Sequence, residues 1–312
     1  MRSLGLGETL MRTSAVQRTS RKDTTIASRQ VHRSSMEGTI ATMSSPKRKS
    51  SYSDPADHEP AKKPKPATTT SADSDSAETP PPSFTAPDSL INPHTALAYW
   101  TATSPTVSGI LGGFPQVSRV DLQGSRNFLA KLRRASPHHP PGKKLRRAVD
   151  CGAGIGRITE GLLTRVAEVV DIVEPVVGFT EALRGKEGVG DIWNVGLEAW
   201  FPEREAGMGG RYDLVWNQWC LGQLTDAQLV AYLRRLPKVL SEGGWIVVKE
   251  NMSNQILGED VFDEEDSSVT RTDAKFRRLF VEEAGLKLVS TELQKGMPKD
   301  LYPVRTYALQ PR

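Results

Sequence analysis

The stretch Asp150-Cys-Gly-Ala-Gly-Ile-Gly-Arg157 follows directly on a short apolar run, Leu145–Asp150, and leads into a helix-like segment, Ile155–Leu163. Glycines between a buried strand and a helix let the backbone approach a ligand closely, at the edge where ligands bind in open α/β sheets. Working outward, the segments alternate. Val166–Glu174, Asp213–Trp216 and Trp245–Lys249 read as strands, and Asp226–Leu240 and Ala274–Ala284 as helices. Leu286–Leu293 and Tyr302–Leu309 read as closing strands. Upstream, Ala96–Trp100 and Val117–Leu132 look helical, with Leu122, Phe128, Leu129 and Leu132 on helical spacing. Such alternation predicts a mostly parallel sheet covered on both faces.

The loop spacing G-x-G-x-G differs from the G-x-G-x-x-G that cradles a pyrophosphate. Glu174 ends the next strand, where a carboxylate can accept both ribose hydroxyls of a nucleoside. A nucleoside without phosphates needs no anion cradle, which favours S-adenosylmethionine over a dinucleotide. Arg157 supplies a donor for a methionine carboxylate. The alternatives are a dinucleotide or a tight turn that holds nothing.

Composition narrows the classes further. No apolar run approaches the ~18 residues a membrane-spanning helix needs. Cys151 and Cys220 are too few for a disulfide framework or a four-cysteine zinc site, so the chain reads as intracellular and without a metal. Residues 1–90 hold 13 Lys/Arg against 10 Asp/Glu, leaving 28 against 27 for residues 91–312. The basic excess belongs mostly to the front, and the nearly neutral remainder offers no strong grip on nucleic acid.

Residues 1–90 are rich in Ser, Thr and Pro and lack sustained apolar periodicity, so they are expected to be a disordered tail ahead of one folded domain, 91–312. Lys47-Arg48-Lys49 and Lys62-Lys63-Pro64-Lys65 read either as a nuclear import signal or as a solvated tail. The Arg-rich first 33 residues faintly suggest a mitochondrial transit peptide, against which Glu8, Asp23 and the missing apolar face argue. The expected location is cytoplasmic, with a nuclear share.

Further motifs carry a family likeness. The segment Asp150–Thr159, Trp216-Asn-Gln-Trp-Cys-Leu-Gly-Gln-Leu-Thr-Asp226, Lys249-Glu-Asn-Met252, Asp266-Ser-Ser-Val269 and Ser108-Gly-Ile-Leu-Gly-Gly-Phe114 resemble the protein alpha-N-terminal methyltransferase family. The likeness runs from about His94 to Leu309 and leaves residues 1–90 without a counterpart. It implies a Rossmann-like, seven-stranded class I methyltransferase with an N-terminal helical extension. It also implies methylation of the α-amine of proteins whose exposed N-terminus reads X-Pro-Lys, ribosomal proteins among them.

By that resemblance, Gly152 and Arg157 hold the methionine end of the cofactor, Glu174 the ribose, Leu197 and Glu198 the adenine, and Gln218 also faces the cofactor. The substrate side draws on Trp100, Trp219, Asn251, Asp263, Asp266, Ser268 and Tyr302, with Asp263 and Ser268 assigned to a substrate lysine. A proline ring beside a cationic amine suits an aromatic-walled channel. Where the family usually has a His thought to help deprotonate the amine, this chain has Gln223, which cannot take a proton. All five histidines precede the glycine loop, so Asp266 becomes the expected base. Two other readings stay open: the same fold acting on a small molecule or nucleic acid, and an inactive fold serving as an adaptor.

Overall fold

The computed structural model describes residues 85–312 apart from 205, 206, 209, 256 and 257. The tail readings, basic pieces included, therefore lie almost wholly outside the described residues. A single helical turn, Pro87–Leu90, lies ahead of the boundary expected at residue 91, and its Asp88 carboxylate accepts the Asp226 backbone N–H at 2.9 Å.

Helix α1 (Pro93–Ala102) begins where Asn92 caps the His94 and Thr95 N–H groups and Pro93 presets the first turn. A short α2 (Val107–Ile110) is capped by Thr106, and α3 (Val117–Arg134) follows. The stripe of α3 that faces inward carries Phe128, Leu129 and Leu132, and also Asp121 and Ser125. Strand β1 (Leu145–Cys151) leads through the glycine loop into a π-helical turn, Thr159–Leu163, continued by α4 (Thr164–Val166). The helical stretch starts at Arg157 rather than Ile155, because Gly154, Ile155 and Gly156 are spent on the turn.

The remaining strands are β2 (Ala167–Val173), β3 (Val189–Trp193), β4 (Tyr212–Gln218), β5 (Leu240–Asn251), β6 (Val261–Asp263), β7 (Ser268–Thr270), β8 (Leu286–Leu293) and β9 (Val304–Pro311). Between them lie α5 (Val177–Thr180), α6 (Asp226–Arg235) and α7 (Asp273–Arg277), the last continued by a π-helical stretch, Arg278–Glu283. Seven strands form one sheet in the order β3-β2-β1-β4-β5-β9-β8, with β9 antiparallel to both neighbours and the other pairings parallel. The expected class of fold is what the chain adopts.

Residues of β4 are buried from end to end, as a central parallel strand requires. Alternation along the strands splits the core in two. Val149, Val215, Ile246 and Val248 meet Leu229 and Leu233 of α6, with Phe276 and Phe280 beside them. Ala148, Leu214, Trp216 and Val247 meet α3 through Phe128, Leu129 and Leu132.

The departures from expectation have local causes. Helix α6 ends at Arg235, since Pro237 lacks the N–H to continue it, and Leu240 already opens β5. Edge strand β3 (Val-Gly-Asp-Ile-Trp) gave no apolar alternation to read. The hairpin β6–β7 consists of three-residue strands joined through an acidic turn. Tyr302 precedes β9 rather than opening it.

Candidate active site

The site lies at the carboxyl ends of β1, β2, β4 and β5, where the strand order reverses beside β1. All three loop glycines have positive φ, but for different reasons. A Cβ on Gly152 would come within 2.3 Å of Cys220 Cβ, and one on Gly156 within 2.4 Å of a Leu183 methyl. A Cβ on Gly154 would meet nothing nearer than Ile110 at 3.9 Å. Gly154 is thus the open position of the loop, whereas Gly152 is demanded by the packing of β1's end against the chain after β4.

A cavity of about 450 Å³ opens here, and Gly152, Arg157, Glu174, Leu197, Glu198 and Gln218 all line it. Its volume lies in the range of small-molecule sites. Glu174 accepts the Gly154 N–H and the Val176 N–H, each at 2.8 Å. Burial nevertheless pushes its carboxyl up to about 7, because the two backbone donors only partly offset desolvation. Leu197 belongs to the core and to the cavity wall at once, and Arg235 of α6 holds its carbonyl at 2.9 Å. Four of the loop's N–H groups are engaged within the protein: Gly152 and Ala153 donate to Val173, Gly154 to Glu174, Gly156 to Ala153. A carboxylate at the β2 end and the Arg157 cation in the same cavity wall fit an S-adenosyl amino acid.

Behind Arg157 and Gln218 stands Asp121 of α3, which sequence reading missed. Its carboxylate accepts from Arg157 Nη1 at 2.7 Å and Gln218 Nε2 at 2.9 Å, and pairs with Lys249 Nζ at 2.6 Å. Burial opposes its charge, but the Lys249 and Arg157 cations outweigh that and hold the carboxyl below the usual carboxylate range. Its signal was a carboxylate on the apolar stripe of an amphipathic helix, four residues before Ser125.

Trp100, Trp219 and Gln223 separate this cavity from a smaller chamber of about 30 Å³, completed by Glu250, Asn251, Asp266 and Ser268 among others. Two buried polar atoms of its wall, Trp219 Nε1 and Asn251 Oδ1, have no hydrogen-bond partner. Trp219 and Ser267 are the non-glycine residues with left-handed backbone among those described, and both stand at this chamber or next to its wall.

Asp266 is buried and accepts the Ser268 hydroxyl at 2.7 Å. The Gln223 carboxamide admits two orientations. In one its nitrogen donates to Asp266 Oδ2 at 3.3 Å. In the other its oxygen accepts Trp100 Nε1 at 3.2 Å while its nitrogen donates to the Asp266 and Ser267 carbonyls at 3.1 and 3.3 Å. The second satisfies three bonds and is the one we adopt.

Two expected substrate residues stand apart. Asp263 accepts the Glu265 N–H at 3.0 Å, and its charge, after burial, raises the Tyr302 phenol; neither residue lies in the wall of either cavity. A histidine does reach the larger cavity. His94, far ahead of the glycine loop in sequence, lines it from the first turn of α1, while the smaller chamber's wall has none. Glu250, also unforeseen, accepts the Cys220 and Leu221 N–H groups at 2.9 and 2.8 Å and so shapes the turn after β4.

Fold and cavity together define a Rossmann-like, S-adenosylmethionine-dependent methyltransferase. Residues 88–310 match the model of the AdoMet dependent proline di-methyltransferases, and the chain belongs to that family. It is 44% identical over 221 residues to alpha N-terminal protein methyltransferase 1 of Schizosaccharomyces pombe, covering 69% of this chain and 94% of that one. It is 39% identical over 220 residues to mouse N-terminal Xaa-Pro-Lys N-methyltransferase 1, covering 69% and 93%. Among solved structures, a SAM-dependent methyltransferase from Leishmania major superposes with a TM-score of 0.61 at 38% identity, covering 70% of this chain and 82% of that one.

Proposed function

We propose that the protein methylates the α-amino group of proteins whose exposed N-terminus reads Xaa-Pro-Lys, ribosomal proteins among them. The observation that carries this reading is a chamber that shares Trp100, Trp219 and Gln223 with the cofactor cavity and brings Asn251 and the buried Asp266 into its wall. The names of the yeast and mouse relatives support the same substrate class.

When bound, S-adenosylmethionine supplies a methyl group already activated by its sulfonium. Glu174, Leu197, Glu198, Gln218 and Arg157 would hold it. The chain's remaining work is on the amine. Asp266 draws the ammonium into the chamber and accepts its proton; Asn251 Oδ1 orients an N–H; Trp100 and Trp219 flank the proline ring and exclude water. A free α-amine titrates near ~8, so a neutral fraction exists at pH 7 and the demand on a base is modest. Positioning then supplies most of the acceleration. Asp263 and Tyr302, outside both cavities, would meet a substrate lysine only beyond the chamber. We place the protein in the cytoplasm, with a nuclear share through the basic pieces of the tail.

The test is incubation with labelled cofactor and Ser-Pro-Lys, Ala-Pro-Lys and N-acetylated peptides. Label should enter the free peptides and not the acetylated one. Label in neither sinks the proposal.

A further inference from the structure

Asp121, Lys249 and Ser125 form a buried polar cluster beneath the cofactor cavity. Asp121 and Lys249 are both fully buried, and Lys249 Nζ also donates to the Asp121 carbonyl at 3.0 Å, Ser125 Oγ at 2.9 Å and Gln294 Oε1 at 2.8 Å. The cluster is saturated on its inner side. Its outer side is Arg157 and Gln218, which form cavity wall.

A buried ion group is a poor device for stability alone, because apolar side chains of like volume commonly serve as well or better. What it does supply is geometry. Gln218 is held at both ends, by Asp121 and by Trp216 Nε1 at 3.2 Å. Arg157, tied to Asp121 through one nitrogen, keeps its guanidinium carbon 5.3 Å from the centre of the Trp219 ring. That ring walls both cavities, and the backbone N–H of Trp219 donates to the Lys249 carbonyl at 3.0 Å. Charge alone would work the other way: the cluster's one carboxylate and two cations carry a formal +1 behind a wall that also holds Glu174 and Glu198, and removing the carboxylate would raise it, so a loss of affinity without Asp121 reports geometry.

We propose that Asp121, clamped by Lys249, is the positioning residue for the methionine end of the cofactor, aiming Arg157 at its carboxylate and fixing Gln218 in the cofactor wall and Trp219 at the junction with the acceptor chamber. The proposal rests on the cavity being the cofactor site.

The experiment is calorimetric titration of the full chain with S-adenosylhomocysteine and with methylthioadenosine, which keeps adenine and ribose but lacks the amino-acid end. Binding of S-adenosylhomocysteine by the wild type tests the site itself. In Asp121→Asn, affinity for S-adenosylhomocysteine should fall ~10- to 100-fold, as expected for loss of a charge-assisted bond, with methylthioadenosine unaffected. Adding Arg157→Ala to Asp121→Asn should cost little more, since the two act through one interaction. Should Asp121→Asn fail to fold, Asp121→Asn with Lys249→Met removes both buried charges and takes the same titrations. Equal losses for the two ligands, no loss for either, or failure of both variants to fold would make Asp121 a structural element only and overturn the proposal.

Discussion

Trp100 of α1 and Gln223 of the turn after β4 meet across the seam between the two cavities, the indole N–H donating to the carboxamide oxygen at 3.2 Å. A second tie runs nearby: the Asn92 N–H, at the start of α1, donates to the Ser267 hydroxyl at 2.8 Å. The N-terminal helix is therefore part of the acceptor chamber. In the orientation adopted, the Gln223 carboxamide ties Trp100 to the backbone carbonyls of Asp266 and Ser267.

The first prediction follows from that role. Asp266→Asn should lower the methylation rate by ~10²–10⁴, the usual span for general-base help, although part of the loss is weaker attraction for the ammonium. Gln223→Ala should cost far less and act mainly on the peptide KM, by loosening Trp100. Gln223→His should raise turnover most below pH 7.5, where the neutral amine is scarce. These pH–rate profiles decide the matter: near-normal turnover of Asp266→Asn would leave simple selection of the neutral amine as the mechanism.

Cofactor binding should depend on pH through Glu174. With its carboxyl near 7 in the free protein, it is largely protonated at pH 6. Ribose hydroxyls donate to the ionised form, so affinity should rise from pH 6 to 8, with proton release on binding at the acidic end. Calorimetry in buffers of differing ionisation enthalpy reads that proton directly. In the free protein the sign for stability is opposite: a raised carboxyl favours folding below its unfolded value of 4.5, and that contribution disappears as pH rises through about 7. Glu174→Ala should weaken binding by roughly 1–3 kcal/mol and flatten both dependences.

The loop glycines should separate stability from binding. Gly152→Ala combines φ +66° with a Cβ 2.3 Å from Cys220 Cβ, so it should lower the thermal midpoint markedly. Cys220→Gly in the same chain should recover part of the loss. Gly154→Ala has φ +54° but open space, costing ~1–2 kcal/mol of backbone strain while its methyl intrudes on the cofactor. Its deficit should therefore appear chiefly in ligand titration.

Removal of residues 1–84 should leave methylation of short peptides unchanged, since every residue of both cavity walls lies downstream. Trimming to residue 90 also removes the Asp88 carboxylate from the Asp226 N–H at the start of α6 and should lower the thermal midpoint. Peptide assays and thermal melts on the two truncations check this.

What the sequence determined by itself was local. The apolar run Leu145–Asp150, the glycines after it and Glu174 at the next strand end are patterns among near neighbours, where period and turn chemistry act. From them the parallel sheet, the nucleoside cofactor and two strands ending two residues short of Gln218 and Asn251 were legible. Tertiary structure alone decided which distant groups meet. Asp121 and Gln218 are 97 residues apart, Asn92 and Ser267 are 175 apart, and nothing in either neighbourhood encodes the contact. His94 joins the cofactor wall, and Asp263 and Tyr302 stand outside both cavities, for the same reason. A strand's side chains alternate by rule, but which helix covers its carboxyl end depends on how the two core layers pack, and that is settled only when the whole sheet is assembled.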